Sequence, residues 1–360
     1  MPVDQLRLGL ILPMSGPSGI FGPSCQASAE YAISEINSGG GILGREVTPV
    51  IIDGGEEATL VMSSLLERND QLSLDALVGW HTSAVRRDVV KAIGGSIPYV
   101  YTAVYEGGED AAGVFMTGEL PRKQIVPAIE WMADLGVRKW FVVGSDYIWP
   151  RQTLSVIEES VSQIMYRGVG DIPRIVGRNF VPLGTIDFNA VISSIQISGA
   201  DGVLVLLLGQ DAVLFNRDFA AEGLDRDIAR LGPLMDENML LASGFSATNG
   251  LYAVSGFFES LATGYSMDFE TGYLEYLGSS APLITSPGES CYEGIRLLAN
   301  LAERAGNFDV DSIKYHASDP MDYDSPRGHV RFEDGHLSQD IYIARAEGLD
   351  FEVMSRLSNT

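Results

Sequence analysis

Basic residues, thiols and histidines are all scarce in this chain. Its 360 residues include 24 Lys plus Arg against 48 Asp plus Glu, a formal charge of −24. Nucleic-acid binders gather Lys and Arg into patches, so a surface of this sign excludes direct binding to phosphate backbones. The two cysteines, Cys25 and Cys291, and four histidines are too few and too irregularly spaced for a structural zinc site. Both thiols are expected to be buried and free, in two different helices. No apolar run approaches the roughly twenty residues of a membrane helix, so membrane insertion is not expected. The first apolar run, residues 8–14, is broken by Gly9 and Pro13 and has no basic segment ahead of it. That is not the pattern of a signal peptide, and it favours a cytoplasmic protein, with an exported, processed form as the alternative.

Catalytic and nucleotide motifs are missing too. There is no Walker sequence, no His-Glu-x-x-His and no Gly-x-Ser-x-Gly. Gly39-Gly40-Gly41 follows a helical pattern and precedes a strand, the reverse of a phosphate-binding loop, and reads as a C-cap and turn. His316, His329 and His336 lie in a polar C-terminal region and read as surface residues. His81 would need a nucleophile within reach to act as a base, and Thr82 and Ser83 are only its chain neighbours. No enzyme, metal or cofactor is implied.

What the chain does contain is a repeated construction. Trp140-Phe141-Val142-Val143 is an apolar run that stops at Gly144 and then presents Ser145, Asp146, Tyr147 and Trp149. It reads as a buried parallel strand whose carboxyl end delivers side chains to a ligand crevice. Leu77-Val78-Gly79 followed by Trp80, His81, Thr82 and Ser83 has the same form, and residues 99–107 make a third such segment. Around them strand and helix alternate: strands at 8–12 and 47–53, helices at 24–37 and 58–68, then a second series from residue 121 with strands at 139–143, 178–182 and 202–208. This rhythm predicts an α/β fold with parallel sheets. The length exceeds what one core usually supports, so two doubly wound lobes are expected.

The order of these segments, with the wording of Tyr105-Glu106-Gly107 and of Gly144-Ser145-Asp146-Tyr147-Ile148-Trp149-Pro150-Arg151, resembles the type I periplasmic-binding-protein superfamily. Within it the likeness is to AmiC-like amide sensors and the urea and short-chain-amide receptors of ABC transporters, from Gly9 to about Phe332. The resemblance implies two Rossmann-like lobes with a ligand cleft between them and a three-crossover hinge. The chain would return to the first lobe near Leu251 and cross again near Pro320. The lobes would then be residues 1–120 with 252–320, and 121–251 with 321–360.

The resemblance also implies roles. Ser83 and Tyr147 would bond an amide, and the segment from Tyr101 through Ala103 and Val104 to Tyr105 would shape the pocket. At one position, Ala103, AmiC-like sequences carry threonine; here Thr102 stands one residue earlier. From the residues themselves, Tyr101 and Tyr147 offer hydroxyls, and Trp80, Trp149 and Tyr105 offer walls, a set suited to a small neutral polar ligand. The second lobe adds Gly209 at one strand end and Asp236-Glu237 at another. Amino-acid receptors of the superfamily hold a ligand ammonium with a carboxylate from this lobe, and Asp236 or Glu237 would serve; both equally suit capping a helix at 238–243. The expected function is binding of an aliphatic amide or urea and signalling by lobe closure, as a cytoplasmic sensor with a regulator protein for partner. The alternative is the receptor of an ABC permease for amides, urea or amino acids, with a hydrolase as a remote third. Oligomerisation is left open.

Overall fold

In a computed structural model, which describes residues 5–166 and 173–357, the chain divides into two compact units. The first comprises Met1–Ala103, Gly107–Gly118 and Ala262–Gln339; the second comprises Val104–Glu106, Glu119–Leu261 and Asp340–Thr360.

The first unit opens with β1 (Gln5–Leu12), α1 (Gly22–Ser38), β2 (Glu46–Asp53), α2 (Ala58–Leu72), β3 (Ala76–Gly79), α3 (Ser83–Ile93), β4 (Tyr99–Tyr101) and β5 (Val114–Met116). In the second unit come α4 (Pro121–Asp134), β6 (Lys139–Ser145), α5 (Ile148–Tyr166), β7 (Arg174–Val181), α6 (Asn189–Ser198), β8 (Gly202–Leu206), α7 (Gln210–Ala221), β9 (Ala229–Gly232), α8 (Glu237–Ser243) and β10 (Leu251–Ser255). The chain then returns to the first unit for α9 (Gly264–Leu277), α10 (Ser286–Ala305), α11 (Val310–Ala317), β11 (Met321–Ser325), β12 (Gly328–Glu333) and β13 (His336–Ser338). It ends in the second with β14 (Ile341–Glu347) and β15 (Asp350–Leu357).

The described residues of the first unit form an eight-stranded sheet in the order β11-β12-β13-β5-β4-β3-β1-β2. The pairs from β13 through to β2 are parallel, and β11, β12 and β13 are joined antiparallel. Pro49 lies in β2 at the edge, where a missing ladder donor is tolerated. The second unit has a seven-stranded sheet, β15-β14-β10-β9-β8-β6-β7, parallel from β10 to β7 with β14 and β15 antiparallel at one end. Its interior strand β8 is buried at every position, as expected of a continuously apolar strand in a parallel sheet. Two α/β lobes with parallel-dominated sheets are therefore present, as the alternation predicts.

The observed crossings depart from the expected ones. Residues near Leu251 do not leave the second unit, because β10 pairs parallel with β9 and antiparallel with β14. The chain leaves that unit only after Leu261. Residues 321–339 stay in the first unit, since β13 pairs with β5 through His336 and Met116, and the last crossing follows Gln339 rather than Pro320.

Local expectations at Gly39-Gly40-Gly41 hold. Gly39 is the C-cap of α1, and a Cβ at Gly41 (φ 81°) would lie 1.9 Å from the Arg45 carbonyl oxygen. Cys25 in α1 and Cys291 in α10 are buried, and neither is in a disulfide. In α10, which starts on a Thr285 N-cap, Gly288 and Gly294 admit close neighbours: Cβ atoms there would come within 2.2 Å of Ser24 Oγ and 2.3 Å of Thr102 Cγ2.

Candidate ligand-binding site

Within each unit the proposed ligand-contacting residues gather at the carboxyl ends of adjacent parallel strands. In the first unit β3 ends at Gly79, and Trp80, His81 and Thr82 lead directly into α3 at Ser83. Thr82 is the N-cap, its side chain accepting from the Val85 amide at 3.5 Å. The dipole of such a helix start favours a carboxylate or another electron-rich group. Ser83 is buried at the first helical position, and Ala103 follows the neighbouring strand β4.

Under this turn lies a satisfied polar network. The Tyr99 hydroxyl is 2.8 Å from His81 Nε2, and His81 Nδ1 is 3.2 Å from the Thr82 carbonyl. With Nδ1 donating to that carbonyl, Nε2 accepts from Tyr99, the neutral tautomer. Burial pushes the His81 pKa down to about 3, partly opposed by the Thr82 bond and reinforced by the charge of Arg86. His81 thus builds the turn and has no ring nitrogen left for base chemistry.

Tyr101 differs from its expected role. Its hydroxyl donates to the His81 carbonyl at 2.6 Å, and Arg86 lies over its ring at 5.0 Å. Arg86, itself buried, pairs with Glu109 at 3.2 Å. Trp80 packs on Phe21 with ring centroids 4.7 Å apart. Thr102, the displaced threonine, is fully buried and donates to the Gly79 carbonyl at 3.2 Å, so it belongs to the sheet and its packing on α10.

In the second unit β6, β8 and β9 lie side by side and parallel, and their carboxyl ends carry the remaining candidates. Ser145 ends β6 and its Oγ accepts from the Leu208 amide at 3.2 Å, tying the two strand ends together. Tyr147 follows, half-buried, with its amide donating to the Ser145 carbonyl at 2.9 Å. Asp146 points out to pair with Arg151 at 2.6 Å. Trp149 is buried in α5, and its indole N–H has no hydrogen-bond partner among the described residues. Gly209, the residue before α7, has φ 50° and ψ −116°, a conformation glycine adopts and side chains resist. Tyr105 is buried, its amide donating to the Glu119 carbonyl at 3.2 Å, while Val104 is half-buried.

Asp236 and Glu237, grouped above as alternatives, are separated by the structure. Asp236 is the N-cap of α8, its Oδ1 accepting from the Met239 amide at 2.9 Å. Glu237 does not cap: it is buried, and its Oε1 accepts from the Glu259 amide at 2.9 Å. Desolvation first, then the negative charge of Asp236, push its pKa up to about 8 against the Glu259 bond. Sequence reasoning missed Arg86, Glu109 and Glu119, whose partners lie far along the chain. Only burial of charge amid apolar residues would have marked them.

The sequence pattern of the family described as periplasmic binding protein matches residues 5–350. The chain belongs to the periplasmic binding protein family. The Leu/Ile/Val-binding protein homolog 6 of Brucella suis biovar 1 (strain 1330) is 24% identical over 358 residues, covering 96% of this chain and 89% of its own. A solute binding protein of an ABC transporter from Rhodopseudomonas palustris HaA2, in complex with p-hydroxybenzoic acid, superposes with a TM-score of 0.85 at 19% identity, covering 98% of this chain and 96% of its own. The branched-chain amino acid transporter substrate binding protein of Streptococcus pneumoniae, in complex with isoleucine, gives a TM-score of 0.81 at 19% identity, covering 98% and 99%. This periplasmic binding protein is therefore a ligand-binding protein of the type I fold. These relatives do not show the finer likeness to AmiC or the regulatory partner that went with it. No helix among the described residues is long and apolar enough to cross a membrane, and no metal-holding cluster of His, Cys, Asp or Glu occurs among them.

Proposed function

We propose that the protein is the substrate-binding component of an ABC transporter and carries a small aliphatic amino acid to its permease. The observation that carries this reading is Glu237, a buried acid at the start of α8 with its pKa raised to about 8. A buried acid of this kind gains most from a cation brought to it, because the pair restores what desolvation removed. The N-terminus of α3, with Ser83, suits the carboxylate of the same class of ligand. Tyr147 adds a hydroxyl on a rigid ring. The relatives support transport over sensing: one is a Leu/Ile/Val-binding protein homolog by name, and the similar solved structures are transporter solute binders. This reading places the protein outside the cytoplasm, the alternative to the expectation drawn from residues 1–14.

A second reading is an aromatic carboxylate, favoured by the structural likeness to a protein holding p-hydroxybenzoic acid. Such a ligand uses the helix N-terminus and has no need of Glu237. The amide reading asks for neither charge. A thermal-shift and calorimetric screen separates the three, since a ligand bound only by the native state raises the melting temperature by mass action. Leucine, isoleucine or valine is expected to stabilise the protein. Stabilisation by acetamide or urea and by no amino acid would overturn the proposal, as would stabilisation by benzoates alone.

A further inference from the structure

The first unit contains a cavity of about 330 Å³ that none of the strand-end turns uses. That volume lies within the range of small-molecule pockets. Its walls come from α1, α9, α10 and the strand β11. Tyr31 of α1 and Tyr292 of α10 are stacked, with centroids 5.6 Å apart and planes 20° from parallel, and Phe269 of α9 meets Tyr292 edge-on at 4.7 Å. Gly272 makes room for this arrangement, because a Cβ there would fall 2.0 Å from the Tyr31 hydroxyl oxygen.

One carboxylate organises the two tyrosines. Glu35 accepts from the Tyr31 hydroxyl at 2.9 Å and from the Tyr292 hydroxyl at 2.6 Å. Donation into a carboxylate makes each ring more electron-rich, and aromatic faces of that kind attract cations. Asp268, Glu293 and Asp324 also line the cavity, against the single guanidinium of Arg296. Glu293 is engaged by Tyr323 and Ser325, and Asp324 by exposed His329, which leaves Asp268 as an exposed acid at the rim. Arg296 already lies over the Tyr292 ring at 6.0 Å, so the wall accepts a cation from within the chain.

We infer that this cavity is a second binding site, for a small alkylammonium ion held against the aromatic wall of Tyr31, Phe269 and Tyr292 with its charge toward Glu35. An anion would meet four carboxylates, and a neutral solute would gain nothing from them. The site is independent of the proposed amino-acid site and does not rest on that reading.

Isothermal titration of tetramethylammonium chloride into the full chain, at constant ionic strength with sodium chloride as control, tests it. Saturable one-site binding beyond the sodium control is expected. Glu35→Gln is expected to weaken it about tenfold, the loss of a charged partner, and Gly272→Ala to weaken it by displacing Tyr31. Asp268→Asn, at an exposed position that leaves the core intact, is expected to weaken it about threefold. Glu237→Gln is expected to leave it unchanged. Heats no different from sodium chloride would overturn the inference. So would equal affinity in folded Glu35→Gln and Asp268→Asn, or loss of binding in Glu237→Gln, which would place the cation in the other unit.

Discussion

The turn after β3 and the turn after β9 are built alike and titrate differently. Each leads from a buried strand end into a helix through a side-chain N-cap, Thr82 for α3 and Asp236 for α8. Each also buries one titratable group beside that cap. In the first turn the group is His81, pushed down to about 3 with both ring nitrogens engaged, so its charge does not change anywhere near neutral pH. In the second it is Glu237, pushed up to about 8, so its charge changes across the physiological range. Burial drives both shifts toward the neutral form, and the opposite signs follow from which form of each group is charged. One turn offers fixed donors; the other offers an acid whose charge a ligand can recruit.

The largest effect is expected where the silent turn is anchored. Arg86→Ala removes a buried guanidinium that faces Glu109 and the Tyr101 ring. Breaking such a pair leaves a carboxylate without its charge partner and typically costs about 3–5 kcal/mol. Chemical denaturation of the unliganded variant measures this, and a change below about 1 kcal/mol would show that the network under α3 is not structural. Because His81 stays neutral, the loss should be the same at pH 6 and pH 8.

Glu237→Gln is the corresponding test of the titrating turn. For an amino-acid ligand the ammonium loses its counter-charge, and affinity should fall about a hundredfold, the range of 2–5 kcal/mol seen for truncated charge pairs. In the natural protein, binding a cationic group to an acid that is mostly protonated at pH 7 releases a proton. Affinity should therefore rise with pH by up to about tenfold per unit below pH 8 and level off above it. An aromatic carboxylate would show a flat or falling profile. Calorimetry from pH 6 to 9 decides between them, and a flat profile for leucine would remove Glu237 from the site.

The same acid leaves a mark on stability without ligand. Its folded pKa, about 8, is above its ordinary value of 4.5, so between those values the native state binds more protons than the unfolded chain. Stability from this group is then full below pH 4.5 and is lost as pH rises through about 8. Glu237→Gln should melt higher than the natural protein at pH 9, with a smaller difference at pH 5. Equal melting temperatures at both pH values would show that the acid is not desolvated.

Much of this is legible in the amino-acid sequence itself. Trp140 to Val143 announces a buried parallel strand by continuous apolar character, and the glycines at 79 and 144 mark where the chain turns toward helices α3 and α5. What stayed hidden depends on register and on long-range pairing. That the Tyr101 hydroxyl meets the His81 carbonyl follows from the alignment of β3 with β4, in which Gly79 pairs with Tyr101. That β11 to β13 join the first sheet follows from the parallel pairing of His336 with Met116 and from the bonds of Tyr323 and Ser325 to Glu293 of α10, all long-range. The separation of Asp236 from Glu237 turned on which of two adjacent carboxylates met the Met239 amide. Sequence spacing allowed either.

The smallest effects lie inside the octapeptide that carried the family resemblance, and they separate its two polar members. Tyr147 is half-buried beside Ser145, which ties β6 to β8, so its ring is held whatever its hydroxyl does. If that hydroxyl bonds the ligand, Tyr147→Phe costs roughly 1–3 kcal/mol, an affinity loss of about tenfold to a hundredfold, with little change in the unliganded melting temperature. Ser83→Ala, in the first unit, should behave similarly, and non-additive losses in the double variant would show both acting on one small ligand. Asp146, the residue before, is expected to do neither. Its pair with Arg151 is exposed on both sides, and Arg151 also lies over the Phe180 ring at 4.5 Å, a packing contact that survives without the carboxylate. Arg151 holds the Asp146 pKa below its ordinary value, yet solvent and salt screen such a pair. Asp146→Asn should therefore leave affinity and melting temperature unchanged in calorimetry and thermal denaturation at 0.15 M salt. A measurable loss of affinity there would mean that the ligand reaches the exposed end of the turn, and would move the site outward from Tyr147.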